Sequence, residues 1–258
     1  VFGSGAAQEM HRRWFESHID KFNLSYSNRS DEYHGLSIAG PNSRKVLEKI
    51  VRDDVSNEKF KFRDSRRMFV GGVPAIINRI SFTGELGYEI YVAPHYQLKL
   101  YEELMEAGKE FNIKPFGGRA LMSMRLEKNW GAWTLDYRPD FTAKETGLDA
   151  FINWDKEFIG KESAQKENSS NKLVPLIVET NEIDVTNNEA VLNGDQSIGY
   201  VTSGGFAHFV NKSVAFTFVD QKNIKSENKI QVEINGDLFN CSIIKEPLYD
   251  PSGQKMRS

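Results

Sequence analysis

Residues 79–92 read Arg-Ile-Ser-Phe-Thr-Gly-Glu-Leu-Gly-Tyr-Glu-Ile-Tyr-Val. Two β-prone runs flank a Thr-Gly-Glu-Leu-Gly loop. Two glycines in five residues mark a tight reversal, because glycine alone takes positive φ without strain. The pattern predicts a β-hairpin with Phe82 entering the turn and Glu89 just past it. Such a hairpin can bring an aromatic ring and a carboxylate to one spot. A flat heterocycle with neighbouring N–H donors would suit that pair: the ring stacks and the carboxylate accepts, each charge-assisted bond contributing roughly 1.5–3 kcal/mol. The residues alone leave a second reading open, a hairpin carrying a solvated Glu89.

Outward from the hairpin, a helix is expected over residues 96–111, with Leu98, Tyr101, Leu104, Met105 and Gly108 as its apolar stripe. Residues 112–118 stop it, and a second helix follows over 119–129. On the N-terminal side, a helix over residues 4–22 presents Met10, Trp14, Phe15 and Ile19 at helical spacing. His11 and His18 lie seven apart with no acid at ligand spacing, so they read as solvated. Residues 33–40 form a strand, Pro41 breaks it, and Asn42 or Ser43 caps a helix to about Val51 with Val46, Leu47 and Ile50 inward. A polar stretch, 52–67, precedes β-type sequence from Met68, interrupted by Gly71, Gly72 and Pro74. A β-α-β-β-α order with antiparallel hairpins predicts an α+β fold, helices packed on an antiparallel sheet.

The polar stretch 166–171 is the best linker, and the pattern after it is all-β. Strands are expected over 173–179, 199–205, 214–219, 229–234 and 238–245. Asn235-Gly236 carries the hairpin signal between the last two. These short strands predict a small C-terminal barrel or jelly roll, giving domains at 1–165 and 172–250. Thr202, Ser203 and His208 read as architecture, since His208 has no nucleophile partner in view. Asp136, Arg138 and Asp140 read as a solvated loop rather than a metal cluster, because no ordered set of oxygen ligands surrounds them.

The chain has 258 residues, 39% hydrophobic and 27% charged, which fits a globular protein. Net charge is −3 with no basic block, which argues against nucleic acid as a partner. No apolar run approaches the ~18 residues of a membrane span. Cys241 is the single cysteine, which rules out an internal disulfide and a thiolate zinc cluster. Its strand-like setting predicts a buried, inert thiol. No Gly-x-Gly-x-x-Gly fingerprint occurs.

The stretch Arg-x-x-Phe-Thr-Gly-Glu-x-Gly-Tyr-Glu resembles the signature of the folate-binding aminomethyltransferase superfamily. That superfamily includes the glycine-cleavage aminomethyltransferase and the C-terminal halves of dimethylglycine and sarcosine dehydrogenases. Three further segments resemble it in the same order: the strand-Gly-Pro-helix of residues 33–51, Arg-Leu-Glu-Lys at 125–128, and Asp-Lys-Glu-Phe-Ile-Gly-Lys at 155–161. Together they span nearly the whole chain. The resemblance implies that Glu89 holds the pteridine ring of tetrahydrofolate and that Phe82 lines the pocket, where the family usually has Tyr. Tyr88, Arg125 and Trp133 are the further cofactor-binding candidates, a structural ion pair being the competing reading of Arg125; Trp154 is a lesser one. Lys128, with Trp130 and Trp133, points to the dehydrogenase branch. Leu121 stands where the glycine-cleavage branch has the arginine that grips the folate glutamate tail, so that contact is not carried over.

The implied reaction is one-carbon transfer forming 5,10-methylenetetrahydrofolate, with a methylated amine as substrate and FAD held by an upstream flavin domain rather than by this segment. The family's catalytic Asp falls upstream of the segment matching Val1. The chain, which lacks an initiator Met, therefore reads as the C-terminal part of a longer protein, inactive alone. The alternatives are a stand-alone folate-dependent transferase or demethylase, and a folate-binding module without catalysis. The expected location is the cytoplasm, or the mitochondrial matrix in a eukaryote.

Overall fold

A computed structural model describes residues 1–180, 182–224 and 229–258. By compactness the chain divides into Val1–Leu121 with Asp250–Ser258, and Met122–Tyr249. The barrel expected from the sequence begins within the second unit, at Asn171.

In the first unit the N-terminal helix α1 spans Gln8–Glu16, shorter than expected, with single 3-10 turns at Gly5–Ala7 and Ile19–Lys21. No residue of α1 is buried, and Trp14 on its apolar face is 57% exposed. Helical spacing identified the face but not what lies opposite it.

Strand β1 (His34–Ala39) and helix α2 (Ser43–Ile50) follow as the sequence predicts, and Val46 and Leu47 are buried. Three strands then come in succession, β2 (Ser65–Val70), β3 (Val73–Asn78) and β4 (Gly87–Val92), one more than the β-α-β-β-α order allowed. The extra reversal is Gly71-Gly72. Both residues take positive φ, 56° and 79°, and Val70 pairs with Val73 across them. Two consecutive left-handed residues match the twist of a two-residue hairpin.

The sheet is antiparallel, in the order β1-β4-β3-β2, so β4 is interior. Tyr88, Ile90 and Val92 of β4 join Ile38, Ile77, Val70 and Val73 in one core. Helices α2 and α3 (Gln97–Gly108) contribute to it Val46, Leu47, Leu100 and Leu104. The stripe of α3 differs from expectation. Leu100, Leu104, Ala107 and Gly108 are buried, whereas Leu98 is 68% and Tyr101 43% exposed. The buried set falls three and four residues from Leu104; Leu98 lies two residues, about 200°, from Leu100 and so falls on the far side.

The connection between β3 and β4 is also longer than a tight turn, since Asn78 pairs with Glu89 and residues 79–86 lie between the strands. Of the two motif glycines, Gly84 takes positive φ, 87°. Gly87 does not; there a Cβ would lie 3.1 Å from the Ile80 carbonyl oxygen and 3.3 Å from that of Ile38. Close backbone approach, not turn geometry, requires that glycine.

The second unit begins within α4 (Gly118–Glu127) and contains α5 (Lys161–Lys166) and six strands: β5 (Asn171–Val178), β6 (Ala190–Asn193), β7 (Gln196–Ala207), β8 (Lys212–Asp220), β9 (Ile230–Ile234) and β10 (Asp237–Ile243). They close into a barrel in the order β10-β5-β8-β7-β6-β9. Closure leaves no edge strand. Asn235 and Gly236 take φ 54° and 92° in the β9–β10 hairpin, as the dipeptide predicts. The short β6 was not anticipated; Gly194-Asp195 turns it into β7, with Gly194 at φ 60°. Alternate residues Val174, Leu176 and Val178 of β5 fill the barrel with Val191, Val201 and Val232.

The stretch expected as a linker is tied down. Thr142 Oγ1 donates to Glu167 Oε1 at 2.6 Å, Lys144 Nζ to the Glu167 carbonyl at 2.8 Å, and Ser169 Oγ to Glu145 Oε1 at 2.6 Å. Among the described residues no helix is long and apolar enough to cross a membrane, and no group of three or more His, Cys, Asp or Glu could hold a metal.

Candidate functional site

Glu89 sits in the middle of β4, opposite Ser37 of β1 on one side and Asn78 of β3 on the other. Side chains alternate across a strand, so Glu89 and Tyr91 share the face opposite Tyr88, Ile90 and Val92. The burial follows: the latter three are buried, and Glu89 and Tyr91 are half-buried. The Tyr91 hydroxyl donates to Glu89 Oε2 at 2.7 Å. Burial, then this bond to a carboxylate, raises the Tyr91 pKa above the usual phenol value, so the hydroxyl stays a donor. Gly35 opposite makes room for the ring, since a Cβ there would lie 2.9 Å from a Tyr91 ring carbon. Tyr91 was not among the sequence candidates, although its position two residues after Glu89 on a strand is the signal for such a pair.

Glu89 and Phe82 line one cavity of about 660 Å³, within the range of small-molecule sites. Its walls come from β1 and the Gly40-Pro41-Asn42 turn, from residues 80–83, from the start of β4, from Tyr101, Leu104 and Met105 of α3, and from residues 111–118 with Leu121. All of these belong to the first unit. The loop bearing Phe82 is braced. Ser81 Oγ accepts from Gly84 N at 3.0 Å and Thr83 Oγ1 from Glu85 N at 3.2 Å. The Leu86 carbonyl accepts from Gly40 N at 2.9 Å and Ser43 Oγ at 3.0 Å. Phe82 is half-buried, leaving part of its ring accessible. Tyr88 also lines the cavity, but its ring is core, stacked on Phe60 with centroids 5.9 Å apart. An acceptor carboxylate held by a tyrosine, in one cavity with a partly open aromatic ring, matches a planar ligand with edge N–H donors.

Arg125 and Trp133 belong to the second unit, whereas the residues lining the cavity are drawn from the first. Arg125 is fully buried, and its Nη1 donates to Asp136 Oδ2 at 2.6 Å and to the Trp130 carbonyl at 3.1 Å. Its guanidinium lies 5.3 Å from the Phe216 ring centre. The structural ion pair weighed from the sequence is therefore present. Trp133 is 52% exposed, edge-on to Tyr137. Trp154 lines a separate, open hollow beside α5.

Asp136 corrects the sequence reading. Expected in a solvated loop, it is fully buried. Besides Arg125 it accepts from Ala132 N at 2.8 Å, from Ser203 Oγ at 2.7 Å and from Thr202 Oγ1. Adjacent strand residues ordinarily point to opposite faces. Here the β7–β8 register shifts between Val201 and Ser203, and this bulge at Thr202 lets both hydroxyls reach one carboxylate oxygen. Thr202 and Ser203 are thus architectural, as read. His208 is exposed, edge-on to Phe206.

Residues 1–156 match the model described as GCVT N-terminal domain, and residues 171–250 that of the glycine cleavage T-protein C-terminal barrel domain. The chain belongs to the glycine cleavage T-protein family. It is similar to the mitochondrial dimethylglycine dehydrogenase of Homo sapiens, 34% identical over 253 residues, which cover 95% of this chain and 29% of that protein. It is also similar to the aminomethyltransferase of Thermoanaerobacter pseudethanolicus, 30% identical over 248 residues, covering 94% of this chain and 67% of the other. The crystal structure of glycine cleavage system aminomethyltransferase T from Bartonella henselae superposes with a TM-score of 0.79 at 21% identity, over 96% of this chain and 67% of that one. That likeness shows the fold. The chain thus spans under a third of the dimethylglycine dehydrogenase it resembles. Within this aminomethyltransferase family, the paired α+β and barrel architecture is the one predicted.

Proposed function

We propose that the chain binds tetrahydrofolate in the cavity of Glu89 and Phe82 and serves as the one-carbon transfer region of an N-methyl amine dehydrogenase. The observation that carries this is the state of Glu89: half-buried, on a cavity wall, one oxygen already fixed by Tyr91. A carboxylate has about four lone-pair sites, so one bond from Tyr91 leaves acceptor capacity for two adjacent donors. The pteridine ring supplies such donors on one edge and a flat face for Phe82. Tyr91 holds the carboxylate in one rotamer, which lowers the entropy lost on binding. Bound tetrahydrofolate would supply the nitrogen nucleophiles that accept the carbon. The protein's part is to fix the ring edge, so that the reacting nitrogens lie in one place, and to exclude water with Phe82 and the apolar wall of α3.

The dehydrogenase-type assignment is supported by Lys128 in Arg-Leu-Glu-Lys and by 34% identity to dimethylglycine dehydrogenase against 30% to the aminomethyltransferase. On this reading a methylated amine is the carbon donor, oxidised by a flavin domain of the same protein.

The test is calorimetric titration with tetrahydrofolate of the wild type and Glu89→Gln. Loss of charge-assisted bonds costs roughly 1.5–3 kcal/mol, about 10- to 150-fold in Kd. Equal affinity of the variant, or no binding by the wild type, overturns the assignment.

A further inference from the structure

The cavity is sparing with charge. Among the described lining residues its only ionisable groups of full charge are one acid, Glu89, and one base, Lys114. They come from different walls: Glu89 from strand β4, Lys114 from the connection after α3. The wall also carries the apolar groups Tyr101, Leu104, Phe116 and Leu121. A ligand matched to this lining has hydrogen-bond donors for the acid, an apolar part for the wall and an anion for the base. We propose that Lys114 is a ligand-binding residue that takes the carboxylates of a folate glutamate tail.

This rests on the folate reading of the same cavity. It addresses a gap that the sequence exposes, since Leu121, where an arginine for the tail was expected, lies on the cavity wall with no charge to offer. Three other cations of this unit are engaged elsewhere. Arg79 is fully buried and donates to the carbonyls of Phe60, at 2.5 Å, and Ser258, at 2.6 Å. Arg44 donates to the carbonyls of Val55 and Ser258. Lys49 pairs with Glu110 and lies over the Phe111 ring. Lys114, by contrast, is exposed and has no ion-pair partner among the described residues. An ammonium on a flexible stem suits a tail of variable length, because it is a point charge without the fixed fork of arginine. Its attraction for an anion falls with added salt.

The experiment measures Kd for three probes, tetrahydropteroate (no glutamate), tetrahydrofolate and its triglutamate, with wild type, Lys114→Gln and Lys114→Glu. One exposed charge pair predicts about a three- to fivefold loss of tetrahydrofolate affinity in Lys114→Gln, and a larger loss in Lys114→Glu. Triglutamate loses at least as much, tetrahydropteroate is unchanged, and the differences shrink at high salt. Equal losses for all three probes mean a structural role and overturn the assignment. So does wild-type affinity of both variants for the glutamylated probes. In those outcomes wild-type binding leaves the folate reading standing; a wild type that binds none of the probes overturns both together.

Discussion

Replacing Asp136 with Ala tests the account of the second unit most severely. The carboxylate and the Arg125 guanidinium are both fully buried, with a 2.6 Å bond between them. Burial lowers the Arg125 pKa even against the opposing pull of Asp136. Arginine nevertheless stays protonated. Removing the acid therefore strands a buried cation, at a cost of about 3–5 kcal/mol. It also takes the acceptor from Ala132 N, Thr202 Oγ1 and Ser203 Oγ. Thr202 retains the Phe216 carbonyl at 3.2 Å, so it relaxes more cheaply than the other two. Each orphaned buried donor costs about 1–3 kcal/mol, though losses within one network do not add fully. A total of about 4–6 kcal/mol approaches the whole stability of many domains. The assay is urea denaturation followed by tryptophan fluorescence. With a slope of about 2 kcal/mol/M the midpoint falls by roughly 2–3 M. The double variant Arg125→Leu/Asp136→Leu removes both charges and is expected to be more stable than Asp136→Ala alone. A loss below about 1 kcal/mol in Asp136→Ala would refute the reasoning, because it is the loss typical of an exposed pair.

Two further outcomes follow from titrating groups. Burial pushes the Glu145 carboxyl up, but bonds from Ser169 Oγ, Thr142 N and Thr142 Oγ1 outweigh it and hold the group below the usual carboxylate range. A depressed folded pKa contributes stability that is complete above the unfolded value, about 4.3, and lost as pH falls through the folded one. Wild type is therefore expected to lose stability between about pH 5 and 3 more steeply than Glu145→Gln, and parallel denaturation curves across that window would contradict this. Burial pushes the Cys241 thiol up to about 12. Its reaction with a disulfide reagent at pH 8 is expected to be on the order of a thousandfold slower native than in denaturant; similar rates would contradict an inert thiol.

Three levels of the molecule were legible to different degrees. Turn chemistry was read well where it is local, as at Asn235-Gly236, and incompletely where a glycine serves packing, as at Gly87. That Glu89 and Phe82 line one cavity was legible because seven residues and one chain reversal separate them. Asp136 was not, because its hydroxyl partners lie 66 and 67 residues away and reach it through a bulge. Tyr91 was overlooked because a bond to Glu89 depends on the room that Gly35 leaves on a neighbouring strand.

By itself the amino-acid order determined the alternation of β4, the glycine reversals, the strand run of the barrel and the presence of one acid and one ring about a single chain reversal. Each of these depends on backbone freedom and side-chain spacing within a few residues. Only the folded chain decided which stripe of α3 is buried, that Asp136 is an interior charge, and that Glu89 and Lys114 line one cavity. Burial and electrostatics are set by whatever the fold carries alongside, and those neighbours come from dozens of positions away.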